Sequence, residues 1–185
     1  MKKGASVFAI IALIIVLIGG YFGYQYYSKY YGNNVEKEGY ILIPHTANFS
    51  SIVDSISPYL KNKEQFVQVA KDKNMNHYFK AGRYRIVSGN SNTNLVNMIK
   101  AGNQTENTYR IGDFGDVYQM VGRVTRKTEL DSLRFVKDFN EIAVQKGYNN
   151  AEDLKKYFFI DTYNFFWTVT PKEFFKKFED DYNDF

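Results

Sequence analysis

The stretch GRYRIVSGNSNTNLVNMI (residues 82–99) carries two periodicities in eighteen residues. RYRIV alternates as a half-buried strand does, and Leu95, Met98 and Ile99 are spaced three and four apart, as on one face of a helix. Gly82 and Gly89 bracket the strand and give the backbone the freedom that each turn needs. Asn92 or Thr93 is placed to cap the helix, and Gly102 to close it. The stretch therefore predicts strand, turn and helix in that order.

The same plan occurs on either side. GYILIPHTANFSSIVDSI (39–56) gives a strand and then a helical face of Phe49, Ile52, Val53, Ile56 and Leu60. NTYRIGDFGDVYQMVGRV (107–124) gives a strand and then Val117, Met120, Val121 and Val124. Between the first two units, Phe66, Val67 and Ala70 mark one further short helix. Two or three short strands against these helices make a small α+β layer.

After Val124 the character changes. Asp131 is placed to cap a helix whose Leu133, Val136, Phe139 and Ala143 face inward, and Gly147 ends it. A second short helix begins near residue 149, with Glu152 and Asp153 in its positive first turn. YFFIDTYNFFW (157–167) then gathers aromatics around one Asp-Thr pair. TPKEFFKKFEDDY (170–182) starts a last helix with Thr170 as cap, Pro171 at the first helical position and Glu173 reaching back, and Phe174, Phe175 and Phe178 form its apolar face.

At the N-terminus no charged side chain occurs between residues 4 and 24, and about 20 apolar residues suffice to cross the hydrocarbon of a bilayer. Lys2 and Lys3 precede the run, which places the N-terminus in the cytoplasm and the remainder outside it. Tyr21, Phe22, Tyr24, Tyr26 and Tyr27 read as an aromatic belt. A cleaved signal peptide has the same start, but the bulky exit GGYFGYQYYSKYY (19–31) lacks a small-x-small cleavage pattern, which favours an uncleaved anchor. Residues 28–39, polar with two glycines, read as a short tether.

Composition excludes several classes. The net charge of +4 is spread among interspersed acids and bases, so no basic stripe invites nucleic acid. With no cysteine there is no thiol catalysis, disulfide or Cys-based zinc site. The two histidines, His45 and His77, stand far apart without an acidic partner at ligand spacing, so neither a metal site nor a cofactor is expected.

Taken in order, the apolar N-terminal run, ILIPHTANFSSIV (41–53), KAGRYRIVSGNSNTNLVNMIKAGNQT (80–105) and FFIDTYNFFW (158–167) resemble the endolytic murein transglycosylase (MltG/YceG-like) family. The resemblance implies a membrane anchor (1–27), the tether (28–39), a LysM-like subdomain (40–126) and the start of a catalytic domain (127–185). It implies a lyase of the bacterial plasma (inner) membrane that cuts peptidoglycan glycan strands and leaves 1,6-anhydromuramic ends. Its partners would be those strands, the bilayer and cell-wall synthases.

Family members carry Pro where this chain has Ile160, before Asp161, Thr162 and Tyr163. By resemblance, Asp161, Thr162, Tyr163 and Trp167 are candidate substrate contacts. The plainer readings are a turn aspartate for Asp161 and core aromatics for Tyr163 and Trp167. The family's catalytic Glu is expected beyond Phe185, so the chain reads as truncated just inside that domain and inactive by itself. The alternative is a membrane-anchored, non-catalytic module that binds peptidoglycan or serves as a cell-wall scaffold.

Overall fold

The computed structural model describes residues 2–184, with side chains described for Phe8 and from Ile10 onward; those of Lys2 and Lys3, on which the predicted orientation rests, lie outside the described residues. The fold is α+β. Its elements are α1 (Lys2–Tyr31), β1 (Gly39–Ile43), α2 (Phe49–Ile56), α3 (Lys63–Asp72), β2 (Gly82–Ile86), α4 (Asn92–Ala101), β3 (Asn107–Ile111), α5 (Val117–Thr125), α6 (Ser132–Gln145), β4 (Asp161–Phe165) and α7 (Pro171–Asn183). A 3₁₀ turn follows α2, and a 3₁₀ helix, Ala151–Tyr157, precedes β4. β1 pairs with β2, and β3 pairs with β4. The chain divides into two compact units, one of residues 1–41, 48–80 and 85–102, the other of residues 42–47, 81–84 and 103–185.

The first unit has an aliphatic core. Ile52, Val53 and Ile56 of α2, Val69 and Ala70 of α3, and Leu95, Val96 and Ile99 of α4 are buried, with Phe66 the one buried aromatic among its described residues. Burying a side chain of this size stabilises by about 1.5–3 kcal/mol before chain entropy is charged against it. The segment read as a tether is built into this unit instead. α1 continues through Tyr31, then Asn33 bridges to Ser91 and Val35 to Leu60. Asn34, 4% exposed, donates to Asn92 Oδ1 (2.7 Å) and to the Asn62 carbonyl (2.8 Å), and its own Oδ1 accepts from the Asn62 amide (2.8 Å). Asn92 in turn donates to the Lys29 carbonyl at the end of α1 (2.8 Å). A buried amide side chain must be satisfied in this way, and each of these bonds ties the segment down.

That network also moves the α4 cap. Ser91, in extended conformation, accepts from the Asn94 amide, while Asn92 is committed to Asn34 and Lys29. Gly102 closes α4 at φ +77°, a left-handed conformation that favours glycine.

The second unit has an aromatic core. Tyr109 and Ile111 of β3, Val117, Met120, Val121 and Val124 of α5, Phe135, Phe139 and Ala143 of α6, and Phe174, Phe175 and Phe178 of α7 share one buried cluster. The third strand-helix unit, grouped by sequence with the two before it, thus contributes its apolar face here. Its strand explains why: β3 takes β4 as antiparallel partner, with Tyr109 opposite Tyr163 and Asn107 opposite Phe165. On α6 the buried stripe is Phe135, Phe139 and Ala143, spaced four apart, with Val136 partly buried, while Leu133 points outward at 84% exposure. Asp131 caps α6, and Thr170 with Glu173 forms the capping box of α7.

Candidate functional site

β4 orders the aromatic stretch by strand alternation. Tyr163 and Phe165 point into the core and Thr162 and Asn164 away from it, while Asp161, the first residue of the strand, is exposed at its end. The Tyr163 ring lies 4.4 Å from that of Phe178, and burial pushes its phenol up from the ordinary value. Asp161 accepts from the neighbouring Thr162 amide (2.6 Å), as a turn aspartate does. Trp167, half-buried, follows the strand, and its carbonyl accepts from the Glu129 amide (2.9 Å). Of the four sequence candidates, Asp161 and Thr162 therefore stand together at one end of β4, Tyr163 belongs to the core, and Trp167 lies past the other end.

Beyond Trp167 the chain borders a groove of about 610 Å³, shared by Thr168, Thr170 and Pro171 with His45, Glu129 and Arg134. Glu129 is the pivot. One carboxylate oxygen accepts from the His45 amide (2.7 Å) and the other meets His45 Nδ1 (2.6 Å). The carboxylate side chain is 17% exposed and the imidazole 68%. With Nδ1 committed to the carboxylate, Nε2 is the imidazole position left for solvent or a ligand. Asp131 and Asp138 also line the groove, so its charge is mixed.

The sequence shows no acidic partner at ligand spacing from His45; Glu129 lies 84 residues away. No local signal joins the two; only the fold does. Among the described residues no group of three or more His, Cys, Asp or Glu side chains is placed to hold a metal ion.

The family model described as the YceG-like family matches residues 41–185. The chain belongs to the YceG-like family. No curated protein matches it. Among solved structures, this YceG-like chain is similar to a crystal structure described as a yceG-like protein from Listeria monocytogenes, at 17% identity and a TM-score of 0.42, with 78% of this chain covered. The chain spans about half of that structure's length (53%). The YceG-like match includes β4, the groove and both cores, and begins after the apolar helix. That helix, Ile10–Tyr31 with mean hydropathy 1.6, is long and apolar enough to cross a membrane.

Proposed function

We propose that this chain is the membrane-anchored N-terminal part of a peptidoglycan lytic transglycosylase. The observation that carries the reading is the YceG-like match over residues 41–185. The apolar helix supports it: at about 1.5 Å per residue its 30 residues extend about 45 Å, enough to cross roughly 30 Å of hydrocarbon and still dock in the first unit. In this reading α1 anchors the chain with the N-terminus in the cytoplasm and the remainder on the outer face of the plasma membrane. Residues 40–126 are the LysM-like part and residues 127–185 open the catalytic domain.

The reaction breaks the bond between N-acetylmuramic acid and N-acetylglucosamine without water. The muramyl 6-hydroxyl attacks its own anomeric carbon, the glycosidic bond to the leaving oxygen breaks, and one carboxylic acid protonates that oxygen while accepting the hydroxyl proton. Such an acid needs a partly buried setting that holds it protonated near neutral pH. Asp161 is exposed and accepts a local amide, so we assign it to substrate contact with Thr162 and place the acid outside these 185 residues. Trp167, past the other end of the strand, is the remaining candidate contact, and Tyr163 acts by packing.

The test incubates the detergent-solubilised chain with uncrosslinked glycan strands and reads 1,6-anhydromuramic ends by mass spectrometry. The chain by itself forms none, and the same chain extended through the family's Glu-bearing segment forms them. Absence of anhydro ends from the extended chain as well would sink the reading and leave a glycan-binding or scaffold module. Ends formed by the 185-residue chain and lost in Asp161→Asn would move the acid to Asp161.

A further inference from the structure

A second cavity, of about 250 Å³, opens between β3 and α5 on the side of β3 away from β4. Its floor is apolar, made by Tyr109, Phe114, Met120 and Val124, all members of the buried core. Its rim is cationic. Arg123 and Lys127 line it, one helical turn apart on α5 and just beyond its end, and no Asp or Glu does so among the described residues.

Both cations are fixed without being neutralised. Arg123 donates to the Asp113 carbonyl (3.3 Å), and Lys127 to the Thr108 carbonyl (3.2 Å) with its ammonium 5.5 Å above the Tyr109 ring. Neither takes part in an ion pair among the described residues. Main-chain carbonyls orient the side chains and leave their net charge for an anion. A guanidinium retains further donors in its planar fork, the geometry that suits a carboxylate.

The strand edge adds a third element. The Thr108 carbonyl faces the cavity, where it meets Lys127, and strand alternation puts the amide and carbonyl of Arg110 on that same edge. Among the described residues β4 is the one strand paired with β3, so this edge has main-chain groups for an extended ligand. Beyond it Gly112 leaves open space, since a Cβ there would meet nothing within 4 Å. The volume equals that of about eight waters, which suits a ligand of roughly dipeptide size.

We propose that the β3–α5 cavity binds the carboxylate end of a short apolar peptide. The carboxylate meets the Arg123 guanidinium, Lys127 adds positive charge at the other end of the rim, the terminal side chain rests on Tyr109, Met120 and Val124, and the peptide backbone lies along the open edge of β3. The site is separate from the His45–Glu129 groove and requires no glycan.

Calorimetric titration of the detergent-solubilised full chain tests this with N-acetyl-alanyl-alanine, its C-terminal amide and phenyl phosphate. The free acid binds, and the amide, identical in shape but neutral, binds at least ten-fold more weakly. Arg123→Gln and Lys127→Gln each weaken the acid by about ten-fold. Arg123→Lys, which keeps the charge and loses the fork, falls between. Both side chains are solvent-exposed, so these variants fold, and an unchanged thermal transition verifies it. Equal binding of acid and amide, undiminished binding by the Arg123→Gln/Lys127→Gln double variant, or no binding of the acid each overturns the proposal. Tighter binding of phenyl phosphate than of the acid overturns the peptide assignment and makes the cavity a phosphate site.

Discussion

The two compact units solve the same packing problem with different chemistry. In the first, aliphatic side chains fill the core and a buried pair of asparagines, Asn34 and Asn92, fixes how the segment after α1 lies against it. In the second, eleven of the twenty core members are aromatic, and polar bonds sit at the edges. Aliphatic groups pack with little preference for direction, so a unit built from them needs directional bonds to select one arrangement. Rings supply direction themselves, through edge-to-face and offset contacts. Phe178 meets Phe158 at 4.8 Å and 72°, and Phe135 meets Phe174 at 5.5 Å and 79°. The difference teaches what selects the arrangement in each unit: directional amide bonds in the first, ring geometry in the second.

The largest effect is therefore expected from Phe178→Ala. Phe178 is fully buried and touches the rings of Phe158, Tyr163 and Phe174. Its loss should cost about 3–5 kcal/mol, read as a lowered urea midpoint. Leu95→Ala in the first unit, equally buried, is the comparator, with an expected cost of about 3 kcal/mol. If Leu95→Ala proves the costlier of the two, ring geometry adds nothing and the comparison fails. The next effect is Asn92→Ala, at about 2–3 kcal/mol, because it strands an Asn34 amide and the Lys29 carbonyl inside the fold. A cost below about 0.5 kcal/mol in chemical denaturation would mean that the aliphatic core alone selects the arrangement.

How much of this the sequence carries depends on the range of each interaction. The strand-turn-helix units, the α5 and α7 faces, and the caps at Asp131 and Thr170 were legible because each is set by residues within a few positions. The α6 face was read two residues out of phase at its start, since Leu133 and Val136 also satisfy helical spacing; only the rings of α7 decide for Phe135. Asn34 looked like linker because its four-residue neighbourhood is polar, and its partners lie 28 and 58 positions away. The same holds for the candidate site. Asp161 and Thr162 are named by local resemblance alone, whereas the His45–Glu129 pair is made by tertiary structure. Neither the strand β4 within the aromatic stretch nor its pairing with β3 was legible, because the two strands lie some fifty residues apart in sequence.

Alkali offers a way to sharpen the comparison without mutation. Burial pushes the phenols of Tyr84 and Tyr109, both counted in the second unit, up to about 12. The folded state therefore holds these protons more tightly than the unfolded chain, whose phenols ionise near 10. Their contribution is fully present below pH 10 and is lost as pH rises from 10 through about 12. At pH 11 the loss should be about 1 kcal/mol for each group, read as a urea midpoint that falls between pH 9 and pH 11. Tyr109→Phe should remove its own share of that loss, about 1 kcal/mol at pH 11. An unchanged midpoint across this range would show that these phenols are not held out of water.

The smallest effects come from the one device that both units share. α2 begins with a capping box of Asn48 and Ser51, and α7 with one of Thr170 and Glu173. Each closes the same two bonds, from the cap side chain to the third helical amide and back. Asn48→Ala and Thr170→Ala should each cost about 1 kcal/mol. The boxes differ in charge. Glu173 accepts from both the Thr170 amide (2.9 Å) and hydroxyl (2.8 Å), and its carboxylate sits at the positive end of a 13-residue helix. The Asn48–Ser51 box is neutral. Salt screens a charge at a helix end and leaves neutral hydrogen bonds nearly untouched. Glu173→Gln should thus cost a few tenths of a kcal/mol in dilute buffer and less in 1 M sodium chloride, while the cost of Asn48→Ala stays the same in both. A Glu173→Gln cost that does not change with salt would assign the α7 start to hydrogen-bond geometry alone. The two units would then begin these helices by the same means and differ only in how their cores are filled.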